Sequence, residues 1–176
     1  DGEEYDATKE DNWMESDSDL TQWQNVGSSN AFTGQIKSIL GADVISQNKY
    51  IQKAKSVTIY EGIVNTGTDY GIIDKKELLL DKSFFSLKKG QTAIIDFGQN
   101  IVGRTPFTII APPNTHLKIR YAEMLNDDGS RSRGNDGPGG SLYLENLRSA
   151  KASLCYTFKG GELAETYTPL TTFYGF

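Results

Sequence analysis

From Ser56 onward the chain breaks into short runs in which apolar and polar residues take turns, and that alternation limits what it can fold into. Between residues 116 and 122, Leu117, Ile119 and Tyr121 point one way while His116, Lys118 and Arg120 point the other. Side chains leave a strand on alternate faces, so a period of two describes a strand buried on one side and wet on the other. Val57 and Ile59 alternate in the same way with Thr58 and Tyr60, and Ala93, Ile95 and Phe97 share one face. Leu154, Tyr156 and Phe158 repeat the pattern after Ser153. Pro112-Pro113-Asn114 fixes φ twice between two such runs and reads as a turn, while residues 65–74 and 127–140 read as loops. With no internal repeat, several short strands separated by turn signals predict an all-β fold, an antiparallel β-sandwich of the jelly-roll type spanning residues 56–176.

Residues 1–55 have another texture. Glu3, Glu4, Asp6, Glu10, Asp11, Glu15, Asp17 and Asp19 crowd around two tryptophans, Trp13 and Trp23. Such a run predicts a solvated acidic arm with short helical turns, packing on the sandwich. Asp19 is placed to cap the turn that follows it, bringing Trp23 round to dock on the sandwich. Residues 31–40 are expected to form a short helix, weakened by Gly34.

Composition bounds the function. The net charge of −5 argues against a nucleic-acid surface, which needs clustered Lys and Arg. No apolar run approaches the roughly 18 residues of a membrane span. The single cysteine, Cys155, excludes an internal disulfide, leaves the redox compartment open and is expected as a buried small hydrophobe. A start at Asp1 without Met or leader is expected of a piece of something longer.

No catalytic residue can be assigned. Glycoside hydrolysis requires two carboxylates about 5 to 9.5 Å apart. Glu123 and Glu145 are the acids placed in ordered-looking segments, with structural pairing to Arg120 or Arg148 the expected use of each. His116, the only histidine, has no partner at metal-ligand spacing and no nucleophile motif beside it. Asp127, Asp128 and Asp136 are candidate calcium ligands, although their spacing departs from an EF-hand loop and suits turns. Gly98-Gln99-Asn100 with Gly103 suits a sharp strand crossing in which Gln99 and Asn100 satisfy backbone groups. Gln99, Asn100 and Glu123 are the candidate carbohydrate contacts, because amide and carboxylate groups pair well with hydroxyls. No cofactor is implied.

Four segments in fixed order carry a family resemblance: Asp96-Phe97-Gly98-Gln99-Asn100 with Gly103; Tyr121-Ala122-Glu123-Met124-Leu125 running to Asp128-Gly129; Glu145-Asn146-Leu147-Arg148-Ser149-Ala150-Lys151-Ala152; and Tyr156-Thr157-Phe158-Lys159-Gly160-Gly161. Together they resemble the concanavalin-like β-sandwich domain that precedes the catalytic barrel in bacterial α-L-rhamnosidases. Gly2-Glu3-Glu4-Tyr5-Asp6-Ala7 and residues 17–26 are similar to the segments leading into it. The resemblance implies a parent enzyme, periplasmic or extracellular, that removes terminal L-rhamnose from glycosides with carboxylates held in an α/α-barrel domain. It implies that the sandwich itself is a non-catalytic accessory with the barrel and other domains of the parent chain as partners. The alternative function is a module that binds rhamnose-containing carbohydrate. Residues 65–86 and 130–140 are expected to be insertions relative to the family. A further family strand is expected after Phe176, leaving an unpaired sheet edge there.

Overall fold

The computed structural model describes residues 2–11, 13–29, 31, 33–38, 40–41, 45, 47, 50–80, 84–169 and 171–176. Its strands are β1 (Glu3–Asp6), β2 (Ser56–Val64), β3 (Ile72–Leu80), β4 (Thr92–Asp96), β5 (Val102–Gly103), β6 (Phe107–Ile109), β7 (His116–Arg120), β8 (Ser153–Thr157), β9 (Glu165–Tyr167) and β10 (Tyr174–Gly175). Helical structure among the described elements is confined to three-residue turns at Ala7–Lys9, Arg131–Arg133 and Glu145–Leu147. The fold is all-β, as the alternation predicts, and consistent with a concanavalin-like sandwich.

Two three-stranded sheets, ordered β1-β8-β7 and β3-β2-β4, are accompanied by two two-stranded sheets, β6-β9 and β10-β5. Pairing is antiparallel throughout except for β1, which runs parallel to β8. Alternation places the core. Leu154, Tyr156 and Phe158 are buried, and Leu117 and Ile119 pack beside them, opposite Tyr156 and Leu154 in the β7–β8 register. Phe107 and Tyr167, cross-strand neighbours on β6 and β9, close over this face. Rings of Phe107 and Tyr156 meet edge-on at 5.2 Å, and Tyr5 of β1 stacks on Tyr156 at 5.5 Å, geometries that add to plain area burial. In the other sheet Val57 and Ile59 are buried, with Ile95 and Ala93 opposite them on β4.

Gly160 shows how tightly the Pro112-Pro113 turn is seated. It has φ +76°, and a Cβ there would stand 2.1 Å from the Pro113 nitrogen. No side chain fits in that gap, so the turn can lie against the end of β8 only if this residue is glycine.

Several expectations are corrected. Residues 3–6, inside the acidic run, form an edge strand. A tertiary clasp holds them there: the Glu3 carboxylate accepts from Tyr167 Oη, from Thr171 N–H at 3.2 Å and from Thr172 Oγ1 at 2.7 Å. The loop expected over 65–74 ends at Gly71. Residues 72–80, the first three of them expected as loop, form β3, seven of whose nine residues pair along β2. No helix forms among the described residues of 31–40, while positions 32 and 39 lie outside the described residues. Asp19 does close its turn, accepting from Thr21 N–H at 3.0 Å. Trp23, however, meets Trp13 at 6.0 Å, and both rings stay more than half exposed. Cys155 is half-buried, on the face of β8 opposite the core, level with Lys118 and Glu4.

Candidate functional site

The segment from Asn126 to Glu145 is rich in Gly, Asp and Ser, a composition that alone favours a loose loop, yet its polar groups are locked together. Buried Asn126 donates through Nδ2 to Asp136 Oδ1 at 2.9 Å and to Leu142 O at 3.1 Å, and its Oδ1 accepts from Asp136 N–H at 3.0 Å. Buried Asn135 donates to Asp127 Oδ1 at 2.6 Å, Asp128 Oδ1 at 2.9 Å and Ser130 O at 3.0 Å. Asp136 Oδ2 accepts from the amides of Leu144 and Glu145 at 2.7 and 2.9 Å. A fully satisfied network of this kind rigidifies what it crosses. The loop is also laced to the β2–β3 connection. Tyr70 N–H donates to Gly129 O at 3.0 Å and Gly139 N–H to Gly71 O at 2.8 Å. Gly129, at φ +75°, could carry no Cβ, which would sit 2.1 Å from Gly71 O.

Each of the three candidate calcium ligands is already engaged within the loop. Asp127 faces Arg133 at 2.6 Å, and that guanidinium, with Asn135 and the Asp128 amide, holds its carboxyl well below the usual carboxylate range. Burial works to raise the Asp136 carboxyl, but hydrogen bonds from Asn126 and the Leu144 and Glu145 amides outweigh it and lower it. Oxygens that a cation would need therefore face N–H donors. Among the described residues no group of three or more His, Cys, Asp or Glu comes together to hold a metal ion.

Between this locked loop and the sheet lies a cleft of about 290 Å³. Tyr60 and Ile63 line it from β2, Arg120 from the end of β7, and Asp136, Pro138, Leu142 and Leu144 from the loop. β2 shifts register against β3 on both sides of Tyr60, and such bulges re-aim side chains. Neither the Arg120 guanidinium nor the Tyr60 hydroxyl has a hydrogen bond or ion pair with the described residues. The open cleft thus sets apolar side chains beside an aromatic ring and two polar groups without partners among the described residues.

The other sequence candidates lie elsewhere. Gln99 and Asn100 are exposed and make no side-chain hydrogen bond with the described residues. Asp96 does the work expected of them, its Oδ1 accepting from Gly98 N–H at 2.6 Å. Glu123 is exposed beside Gly175 of β10, its Oε1 3.9 Å from where a Cβ would be. Glu145 opens a helical turn of its own. No hydrogen bond joins the two carboxylates, and neither pairs with Arg120 or Arg148. His116 bridges to Thr157 Oγ1 at 2.9 Å across β7 and β8. Sequence reasoning missed Tyr60 and Arg120 as a pair. Alternation marks both as facing away from the core, but not that the loop stands opposite them.

The carboxylates with several partners are ties within the fold. Besides Glu3, Glu165 accepts from Tyr156 Oη at 3.1 Å and Gly160 N–H at 2.8 Å. Glu10 pairs with Lys159 at 2.6 Å and accepts from Tyr5. The Glu10 hydrogen bond, with some burial, pushes the Tyr5 phenol up to about 12. Burial first, and then their carboxylate partners, push the phenols of Tyr156 and Tyr167 up further.

Comparison with known proteins places this architecture. Residues 86–176 match the family model of the bacterial α-L-rhamnosidase concanavalin-like domain. An α-L-rhamnosidase of Formosa agariphila is 29% identical over 177 residues, covering all of this chain and 15% of its own. One from Streptomyces avermitilis is 42% identical over 84 residues, 47% of this chain and 7% of its own length. One from Alteromonas sp. strain LOR is 33% identical over 94 residues, 53% of this chain and 9% of its own. The chain thus spans a small part of the curated relatives it matches. No solved structure matches it significantly.

Proposed function

This chain belongs to the family of the bacterial α-L-rhamnosidase concanavalin-like domain, and from that premise we propose that it is a non-catalytic accessory sandwich within a multidomain α-L-rhamnosidase. Its task is architectural: a rigid β body that braces the barrel carrying the catalytic carboxylates and cleaving terminal L-rhamnose from glycosides. The division into an acidic arm over residues 1–55 and a sandwich over 56–176 belongs to the same proposal, as do the barrel and neighbouring domains as partners.

The observation that carries the reading is how the acids are used. Glu3, Glu10, Glu165 and Asp136 are each engaged by two or more hydrogen-bond or ionic partners inside the fold. A general acid or nucleophile needs a carboxylate directed at substrate, whereas these hold tyrosines and backbone amides. Glu123, beside Gly175 of β10, and Glu145, at the start of its own helical turn, are both exposed. The test is turnover. The chain alone is expected to release no p-nitrophenol from p-nitrophenyl α-L-rhamnopyranoside, and Glu123→Gln and Glu145→Gln are expected to change nothing. Saturable hydrolysis by the purified chain, abolished by either substitution, would overturn the reading.

A further inference from the structure

We propose that the cleft between β2, the end of β7 and the 136–144 loop is a saccharide-binding site, taking a single neutral 6-deoxypyranose unit. The proposal deepens the accessory reading and rests on it for the choice of sugar, but its geometry is independent. The walls differ in chemistry. Pro138, Leu142 and Leu144 make the loop side apolar and Ile63 adds apolar surface from β2, while Arg120 and Tyr60 bring donors with no partner among the described residues. A pyranose has matching parts: C–H faces that pack on an aromatic ring and aliphatic side chains, and hydroxyls that accept from a guanidinium or phenol. A 6-deoxy sugar replaces one hydroxymethyl with a methyl, which an apolar wall accepts without leaving a hydroxyl unpaired.

Of the other polar side chains lining it, Ser141 is held by Pro138 O and Asn126, and Asp136 is held by Asn126 and two loop amides. Its contribution is to fix the loop, so the apolar wall is in place before ligand arrives, which lowers the ordering cost of binding. Tyr60 is fixed from the other side: it stays in register with Thr92 of β4 while β2 shifts against β3 on either side of it. The volume of about 290 Å³ suits one monosaccharide ring and excludes a long oligosaccharide from full burial.

The test is an NMR titration of the full 176-residue chain with methyl α-L-rhamnopyranoside, with methyl α-L-mannopyranoside, which restores the missing hydroxyl, in parallel. Saturable amide shifts are expected at Tyr60, Ile63, Arg120, Gly137 and Leu142, with the rhamnoside binding at least threefold tighter. Arg120→Ala and Tyr60→Phe are each expected to weaken binding several-fold while leaving the remaining amide spectrum in place, which shows that the variant is folded. Absence of saturable shifts at these amides, saturable shifts confined to another surface, or unchanged affinity in both variants would overturn the site. That failure would leave the accessory reading standing, because turnover judges the latter. Hydrolysis by the chain would sink the accessory reading without touching the cleft.

Discussion

Phe158 is almost wholly enclosed, with the Tyr156 ring 4.8 Å away and that of Phe107 at 6.1 Å. Truncation there removes transfer energy and leaves a cavity whose walls are stiff rings that relax little. Phe158→Ala is expected to cost about 3–5 kcal/mol, read as a lower urea midpoint at unchanged slope. The same residue was legible in the sequence, since its burial follows directly from the alternation with Cys155 and Thr157. Arg120 was legible only in part. The pattern turns it away from the core, and its value in the cleft depends on a loop that arrives from residues 136–144 by hydrogen bonds no periodicity records.

β7 and β8 could be read off the chain because each presents alternate residues to one core. β3 could not: Lys75, Lys76 and Glu77 are followed by three consecutive leucines, so neither face is marked, and its pairing with β2 slips at the bulges. β1 was hidden for a different reason. Its four residues are acidic and polar apart from Tyr5, and they form a strand because β8 offers a free edge and Glu3 finds three hydroxyls and an amide to bind. If the clasp holds β1, then Glu3→Gln, which exchanges a charged acceptor for a neutral one with a single oxygen, is expected to destabilise by about 1–3 kcal/mol. Hydrogen exchange should quicken along the β1–β8 ladder and stay slow along β7–β8. Equal rates in both ladders would show that pairing alone retains the strand.

Across the molecule, stability is expected to fall at both ends of the pH scale for opposite reasons. Glu10, lowered first by Lys159 and then by Tyr5, and Asp127, lowered first by Arg133, favour their ionised forms in the fold. Unfolded carboxylates take up protons near pH 4, so this contribution is intact above that point and drains away as pH drops through the lower folded values. Tyr5, Tyr156 and Tyr167 have raised phenols. Their contribution is complete below about pH 10, where unfolded tyrosine ionises, and is lost as pH climbs through 12 and beyond. Thermal melts should show a plateau between these limits. Absorbance at 295 nm should reveal tyrosines that ionise only as the alkaline transition unfolds the chain; phenols titrating together near pH 10 in the folded protein would contradict the aromatic packing. The Glu3 clasp has a further consequence. It brings the first strand against residues 171–172, while the Tyr174 hydroxyl reaches Ser153 O, the same oxygen that crowds Gly2. One carboxylate thus couples a strand near the start of the chain to residues near its end, so loosening either partner releases both from the same edge of β8.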